Sequence, residues 1–506
     1  MNRYKTAAQL LACLILAAAT LRAFAFWAAD PMLAYANNSD QIRTLKVFGL
    51  HPKDAPEALY AMTPEHPYRY FVQADTLHAP FYPSSDLLVK AIQVATMAAF
   101  RSSDGVMDIK VASAPVLIGW LVGIWLIFRK LLASPLAALG FAGWILLVAD
   151  PINLLFLNTW YAEFSAFAIA TLFVGIAWLW LVQRVTLRWA LVWGSLCLAV
   201  LSFNRNQYMF LLLAVAGLAG IAALAWSRPH QRPSLASAGK VVLVATACLL
   251  PMLTYNAAAK RNNEISVGVA ANRTNTVFGA LLPASKDPAR MLTRMGLSPE
   301  GCLRFSGKNL YLTPEPEFRA HCPKSLTLSL VRIAKAVALE PTALVTIIEN
   351  IAQHHNGFLQ YHIGHIEGTD NAYLHKGSRA SFDGSAFRAV RDNAPMNSSQ
   401  PYYRQSVDAL LTRISAGTTM LLIWLAALGP AFAALAAWGL QQNRWAFMFL
   451  LSGLLFNYAL FSSILGDGYF ELERHAILCF SFGSLFFVLL SCFAASTLRA
   501  KTAPQA

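Results

Sequence analysis

The chain has 506 residues, of which 57% are hydrophobic and 13% charged, with a formal net charge of +14 and a mean hydropathy of +0.47. A soluble domain carries roughly 25% charged residues, so water is not this chain's main solvent. Its Lys and Arg gather at the ends of apolar runs, where charge sets membrane orientation, and nucleic acid is not expected as a partner.

The basic start, Met1 to Lys5, leads into an apolar stretch from about Ala7 to Ala29. Ala23-Phe24-Ala25 faintly resembles a signal-peptidase site, but the run is longer than a signal core and reads as an uncleaved first helix. Further apolar runs lie near 112–128, 133–149, 161–182, 189–203, 207–226, 241–256, 417–438, 446–463 and 476–496. They approach the roughly 20 residues that span a bilayer core, and a helix satisfies their backbone within lipid. The expected fold class is an all-α polytopic membrane protein with about ten transmembrane helices.

With a cytoplasmic N-terminus, the inner junctions carry Arg129 and Lys130, Arg184 and Arg188, Arg228, Arg232 and Lys240, Arg444, and finally Arg499 and Lys501. Every one is basic, so both termini are expected in the cytoplasm. The segment Asp86 to Phe100 is apolar but interrupted by Lys90. A crossing there would invert every later loop, so it reads as a helix at the outer interface. Two outer loops are then long, 30–111 and 257–416. The chain divides into an N-terminal transmembrane module, 1–256, an extracytoplasmic loop domain, 257–416, and a C-terminal transmembrane module, 417–506. The loop domain includes an amphipathic helix around Leu326 to Gln353.

Five cysteines (Cys13, Cys197, Cys248, Cys479 and Cys492) lie in apolar spans and read as small hydrophobes. Cys302 and Cys322 share the large outer loop, where an oxidising compartment favours a disulfide. Two free thiols are the alternative. His354, His355, His362 and His365 cluster in the same loop without a recognised ligand frame, and no metal or other cofactor is expected.

Two cations stand against the topological bias. Arg205 lies in Phe203-Asn204-Arg205-Asn206-Gln207-Tyr208, and Arg474 in Glu471-Leu472-Glu473-Arg474-His475, both at outer ends of spans. Phosphate binding is one reason for such placement; snorkelling, or pairing with Glu471 or Glu473, is the other. Two acids also sit at outer mouths. Asp40 closes Asp30-Pro31-Met32-Leu33-Ala34-Tyr35-Ala36-Asn37-Asn38-Ser39-Asp40 and is followed by Gln41-Ile42-Arg43. Glu163 ends Asn158-Thr159-Trp160-Tyr161-Ala162-Glu163. An ionisable residue facing a helix bundle is a functional candidate, although Asp54, Glu57, Glu65, Asp75 and Asp86 compete with Asp40 in the same loop.

Together, the long first outer loop with its early Asp, the interfacial segment before the second span, the run Asn158 to Glu163, the cation before the sixth span and the Glu473-Arg474-His475 run resemble the GT-C superfamily of polyprenyl-phosphate-dependent glycosyltransferases. Within it they are most similar to bacterial hexose transferases that decorate surface glycans and O-antigen. The resemblance implies a lipid-linked sugar donor, a glycan or lipid-linked acceptor, and an inner-membrane site facing the periplasm. It implies Asp40 as general base, with Arg474 and Arg205 stabilising the departing phosphate. Glu163, Asn158 and Tyr161 would bind sugar hydroxyls, with Arg43 and His475 counted among the substrate-binding residues. An O-antigen ligase or polymerase, a transporter or a non-catalytic scaffold are the competing readings. A transporter would favour broken helices and short loops, and an Asp40 substitution separates the others.

Overall fold

The computed structural model describes residues 2–29, 32, 34, 41–53, 69–73, 84–154, 156–226, 235–261, 263–308, 310, 313, 315–354, 416–467 and 477–502. In chain order the N-terminal part runs α1 (Asn2–Ala28), α2 (Gln41–Val47), β1 (Leu50–Pro52), β2 (Tyr70–Gln73), α3 (Asp86–Ala99), β3 (Met107–Asp108), α4 (Ile109–Leu131), α5 (Pro135–Val148) and α6 (Pro151–Leu154). It continues through α7 (Glu163–Leu181), α8 (Leu187–Asn204), α9 (Leu211–Trp226) and α10 (Leu235–Arg261). Next come α11 (Asn263–Thr274), a π-helical turn at Asn275–Leu281, α12 (Leu282–Ala284), α13 (Pro288–Met295), α14 (Pro299–Cys302), α15 (Glu315–His321), α16 (Leu330–Ala338) and α17 (Thr342–His354). The long helices α18 (Ala416–Gly439), α19 (Asn443–Asp467) and α20 (Ile477–Thr502) close the fold.

Among the described residues, eight helices are long and apolar enough to cross a membrane, and all eight match expected spans. The other two expected spans are helical as well. One is α5, whose 14 residues rise only about 21 Å; the other lies within α10. The chain is a multi-pass helical membrane protein.

The bundle is built around α7, where 78% of the apolar window is buried. Alanines and a glycine let its neighbours approach. A Cβ at Gly175 would sit 2.7 Å from Ile127 of α4, and one at Gly123 of α4 would sit 2.6 Å from Leu172 of α7. Each glycine thus seats a side chain of the other helix, the close approach that drives helix association in lipid. α8 packs on α7, and α5 packs on both α1 and α20. The peripheral helices turn rows of large apolar side chains outward, including Leu10, Leu14 and Leu21 on α1, Trp189 and Leu196 on α8, and Leu425, Phe432 and Leu435 on α18. Such surface suits lipid, not water.

The 30–111 segment contains short strands that the expected all-α fold class did not include. β1, β2 and β3 form an antiparallel sheet, with Leu50 opposite Gln73 and Phe71 opposite Met107. The strands have 3, 4 and 2 residues, too few for an alternating pattern to register. Leu50, Phe71 and Met107 pack with Met32, Leu45 and Trp160 in a small core of their own. Lys110, at the start of α4, donates to the carbonyls of Ala28 and Ala29 at 3.1 and 3.0 Å, closing the C-terminal end of α1.

In the 257–416 region, Cys302 and Cys322 form the expected disulfide, with Cα atoms 5.0 Å apart. Beside it Phe278, Phe305 and Phe318 pack against one another. α11 packs on α19, and α17 on α18.

Candidate functional site

α7 and α8 are antiparallel neighbours, so the first residue of α7 and the residue after α8 meet at one end of the bundle. These are Glu163 and Arg205. An acid at a helix N-terminus and a cation at a helix C-terminus each complement the local dipole. They also pair directly: Arg205 Nη1 lies 2.5 Å from Glu163 Oε1, with Glu163 1% and Arg205 18% exposed.

The third contributor is α3, which docks on the end of α8. Ser84 donates its hydroxyl to the Asn204 carbonyl and Ser85 donates to Val200, both at 2.6 Å, and the Ser85 amide reaches Phe203 at 3.0 Å. The bonds to Phe203 and Asn204 satisfy carbonyls that the end of α8 leaves without helical partners. The inward face of α3 is polar: Asp86, Lys90, Gln93 and Met97 are buried, whereas Leu88, Ile92 and Phe100 at its far end point out. That arrangement inverts the soluble amphipathic helix and suits a helix with lipid on one side and a polar interior on the other.

Asp86 and Lys90 are each 3% exposed. Asp86 Oδ1 accepts from the Ser165 hydroxyl at 2.6 Å, and Ser165 Oγ accepts from Asn204 Nδ2 at 2.9 Å. Lys90 Nζ donates to the Thr159 carbonyl at 3.2 Å and stands 6.0 Å from the centre of the Trp160 ring. Two carboxylates, Asp86 and Glu163, therefore share one buried region with two cations, Lys90 and Arg205. Burial pushes the Asp86 carboxyl above its ordinary value; Lys90, the Ser165 hydrogen bond and Arg205 oppose this, and Glu163 reinforces it. Burial pushes Lys90 down, against the attraction of Asp86 and Glu163. Desolvation is the largest influence on both, as expected where water is excluded.

Asp86, Trp160, Tyr161, Glu163, Asn204 and Arg205 line a recess of about 80 Å³. Of the residues singled out in the sequence, Glu163, Tyr161 and Arg205 come together here. Asn158 does not line the recess; it is buried elsewhere in the same loop and accepts from Ser113 of α4 at 2.7 Å. Arg43 lies on α2, with its side chain outside the described residues. Asp40, Arg474 and His475 also lie outside them. The residue after Asp40 is fixed: Gln41 is 6% exposed and its Oε1 accepts the Trp160 amide at 2.8 Å. Thr44, also on α2, lines the recess.

Sequence reasoning missed Lys90 and Asn204 as site residues and treated Asp86 only as a competing loop acid. A signal was present, since Asp86, Lys90 and Gln93 recur at helical spacing within an otherwise apolar run.

Fold and site together define a multi-pass membrane protein with a buried cluster of opposite charges at one mouth of its bundle. Residues 1–506 match the family described as the YfdI N-terminal transmembrane domain, and the chain belongs to that family. Neither a curated protein nor a solved structure matches it.

Proposed function

We propose that the protein is a membrane glycosyltransferase that moves a sugar, a hexose, from a polyprenyl-phosphate donor to a glycan acceptor at the outer face of the bacterial cytoplasmic membrane. Membership of a family associated with glycosyltransferase activity supports this reading. The observation that carries it is the cluster of Asp86, Lys90, Glu163 and Arg205 at one mouth of the bundle, of which Asp86, Glu163 and Arg205 line one recess. Burying charge in a membrane protein is costly and marks sites of function more often than of stability.

In the reaction, a hydroxyl oxygen of the acceptor attacks the anomeric carbon in line and inverts it. The new C–O bond forms as the bond from that carbon to the phosphate oxygen breaks. The hydroxyl proton passes to Asp40 as general base, and the departing electron pair stays on the polyprenyl phosphate. Arg205, fixed in orientation by Glu163, and Arg474 supply positive charge where negative charge develops. Tyr161 and Glu163 hold the sugar. Asp40 directly precedes Gln41, whose side chain is tied to Trp160 at the recess, and this supports giving the acid to that site.

Transfer from a polyprenyl-phosphate hexose by purified protein in nanodiscs, scored on its native glycan acceptor, tests the assignment. Asp40→Asn should lower turnover on the order of 10²–10⁴-fold while leaving donor binding nearly unchanged. Wild-type turnover in Asp40→Asn would move the base to another acid. Loss of activity in Arg205 and Arg474 variants, with every first-loop acid dispensable, would favour a ligase or polymerase.

A further inference from the structure

A larger cavity lies between α1 and α4. It is a groove of about 550 Å³, lined by Thr20 and Phe24 of α1 and by residues of α4 from Ile118 to Arg129, ending at Leu132. Leu121 and Phe128 are buried within it, whereas Ile118, Val122 and Leu126 are exposed. Trp125 bridges the two helices: its Nε1 donates to Thr20 Oγ1 at 3.1 Å, while Thr20 donates its own proton to the Leu16 carbonyl at 2.9 Å. At the far end Gln9 of α1 donates to the Leu132 carbonyl at 2.8 Å. Thr20 and Trp125 are thus satisfied, and apart from Arg129 the groove offers apolar surface. Its size falls in the roughly 300–1,000 Å³ range of ligand sites.

The groove has a direction. Ile109, at the start of α4, packs in one small core with Trp160, a wall of the charged recess. Arg129 stands about 30 Å further along the helix at 1.5 Å per residue, close to the full hydrocarbon thickness of a bilayer. Its end of the groove therefore belongs to the leaflet opposite the recess. Ile118 to Leu132 covers about 21 Å, enough for a chain that crosses one leaflet's share of about 15 Å. That end is also cationic. Arg129 and Lys130 lie in the last turn of α4 and are exposed. Lys5, one turn before Gln9, is exposed too, and Arg184 reaches the turn that follows α4. No Asp or Glu occurs in 1–29 or 109–149.

We propose that this groove holds one acyl chain of an anionic glycerophospholipid from that leaflet, with its phosphate at the Arg129 guanidinium. Arginine lays its methylenes on apolar surface and keeps its charge at headgroup level, and unopposed cations there favour anionic over zwitterionic lipid. The polyprenyl-phosphate donor proposed for the charged mouth is not the occupant, because its phosphate belongs at the other end of α4.

The protein purified in detergent is titrated with dioleoylphosphatidylglycerol, dioleoylphosphatidylethanolamine and undecaprenyl phosphate, and bound lipid is counted by native mass spectrometry. Wild type should bind one phosphatidylglycerol about five- to tenfold more tightly than phosphatidylethanolamine. Arg129→Gln should bring that ratio toward one. Arg188→Gln, at the exposed start of α8 and outside the groove, should leave it unchanged. Val122→Trp, which fills the groove, should weaken both phospholipids. Equal losses in the two arginine variants would reduce the site to a diffuse basic surface and overturn it, as would binding untouched by Val122→Trp. Displacement of phosphatidylglycerol by equimolar undecaprenyl phosphate would give the groove to the donor lipid and overturn the assignment. Should Val122→Trp fail to fold, the comparison of Arg129→Gln with Arg188→Gln decides.

Discussion

The two ends of the helical bundle treat their cations differently. At one end, basic side chains close the protein's own backbone. Arg184 donates to the Ala133 carbonyl at 3.0 Å and the Ser134 hydroxyl at 3.1 Å; Arg444 donates to the Trp180 carbonyl at 3.2 Å and lies 5.5 Å from the Trp180 ring. These contacts join the turns after α4, α7 and α18, and they occur where the sequence pattern expected inner loops. At the other end Lys110 also closes a helix, but Lys90 and Arg205 stand among buried carboxylates, Arg205 at the wall of a cavity. Capping arginines make a good structural joint. Charges gathered in opposite pairs around a space are a poor way to gain stability, because desolvation offsets their attraction. A cation's surroundings, more than its presence at a helix end, therefore separate scaffold from site.

The largest effect that would sharpen this contrast comes from splitting the quartet. Lys90→Met leaves two buried carboxylates facing one cation and should cost about 3–5 kcal/mol, measured by thermal unfolding in detergent. Combining it with Asp86→Leu should recover most of that stability without recovering transfer. Recovery of both would make the pair a structural device. Next, Arg205→Ala should reduce turnover by about 10²–10³-fold if it meets charge developing in the transition state, with Arg205→Lys restoring only part because the planar fork is lost. Arg444→Ala, from the capping end, should leave turnover at the wild-type level; equal losses in both would dissolve the distinction.

Acidity offers a smaller effect with a definite sign. Because the folded Asp86 carboxyl sits above its ordinary 3.8, the folded state holds its proton more tightly than the unfolded chain. Its contribution is therefore fully present below that ordinary value and is lost as pH rises through the raised one. Lys90, held below its ordinary 10.5, acts in the opposite sense, adding stability as pH climbs from its lowered value toward 10.5. Unfolding midpoints followed across pH should show Asp86→Asn abolishing the acid-side decline; an unchanged profile would mean that this carboxyl is not desolvated. The smallest effect lies at the capping end. Gln183 and Gln441 terminate α7 and α18 with φ of 61° and 58°, a left-handed geometry that glycine adopts without strain. Gln441→Gly should raise stability by about 1 kcal/mol and leave transfer unchanged.

Much of the scaffold was legible because lipid imposes a simple rule: long apolar runs become helices. The disulfide between Cys302 and Cys322 followed from their shared compartment. Glu163 and Arg205 were found because each stands at a mouth against the prevailing pattern. What stayed hidden depends on contacts distant in sequence. Ser165 meets Asp86 across 79 positions, and Ser84 meets the Asn204 carbonyl across 120; no local pattern encodes either. Lys90 was seen but read as a flaw in an apolar segment, although the same spacing places it beside Asp86 on one helical face. Asn204 carried no sequence signal at all, being a polar residue at the end of a span. It stands out only in the structure, where its amide donates to Ser165 at the recess.

The inverted face of α3 makes the bilayer a mechanical part of the site. Leu88 is 71% and Ile92 55% exposed, an apolar surface that suits lipid on the outer side of the helix that carries Asp86 and Lys90. Surrounding acyl chains act as a clamp, holding that helix against α8 because these side chains have no other oily phase to enter. Wetting that face with water would favour its collapse or departure, taking two of the four charges along. For the proposed transferase, the geometry of the site would then depend on protein and lipid jointly, and turnover is expected to vary with membrane thickness and fluidity.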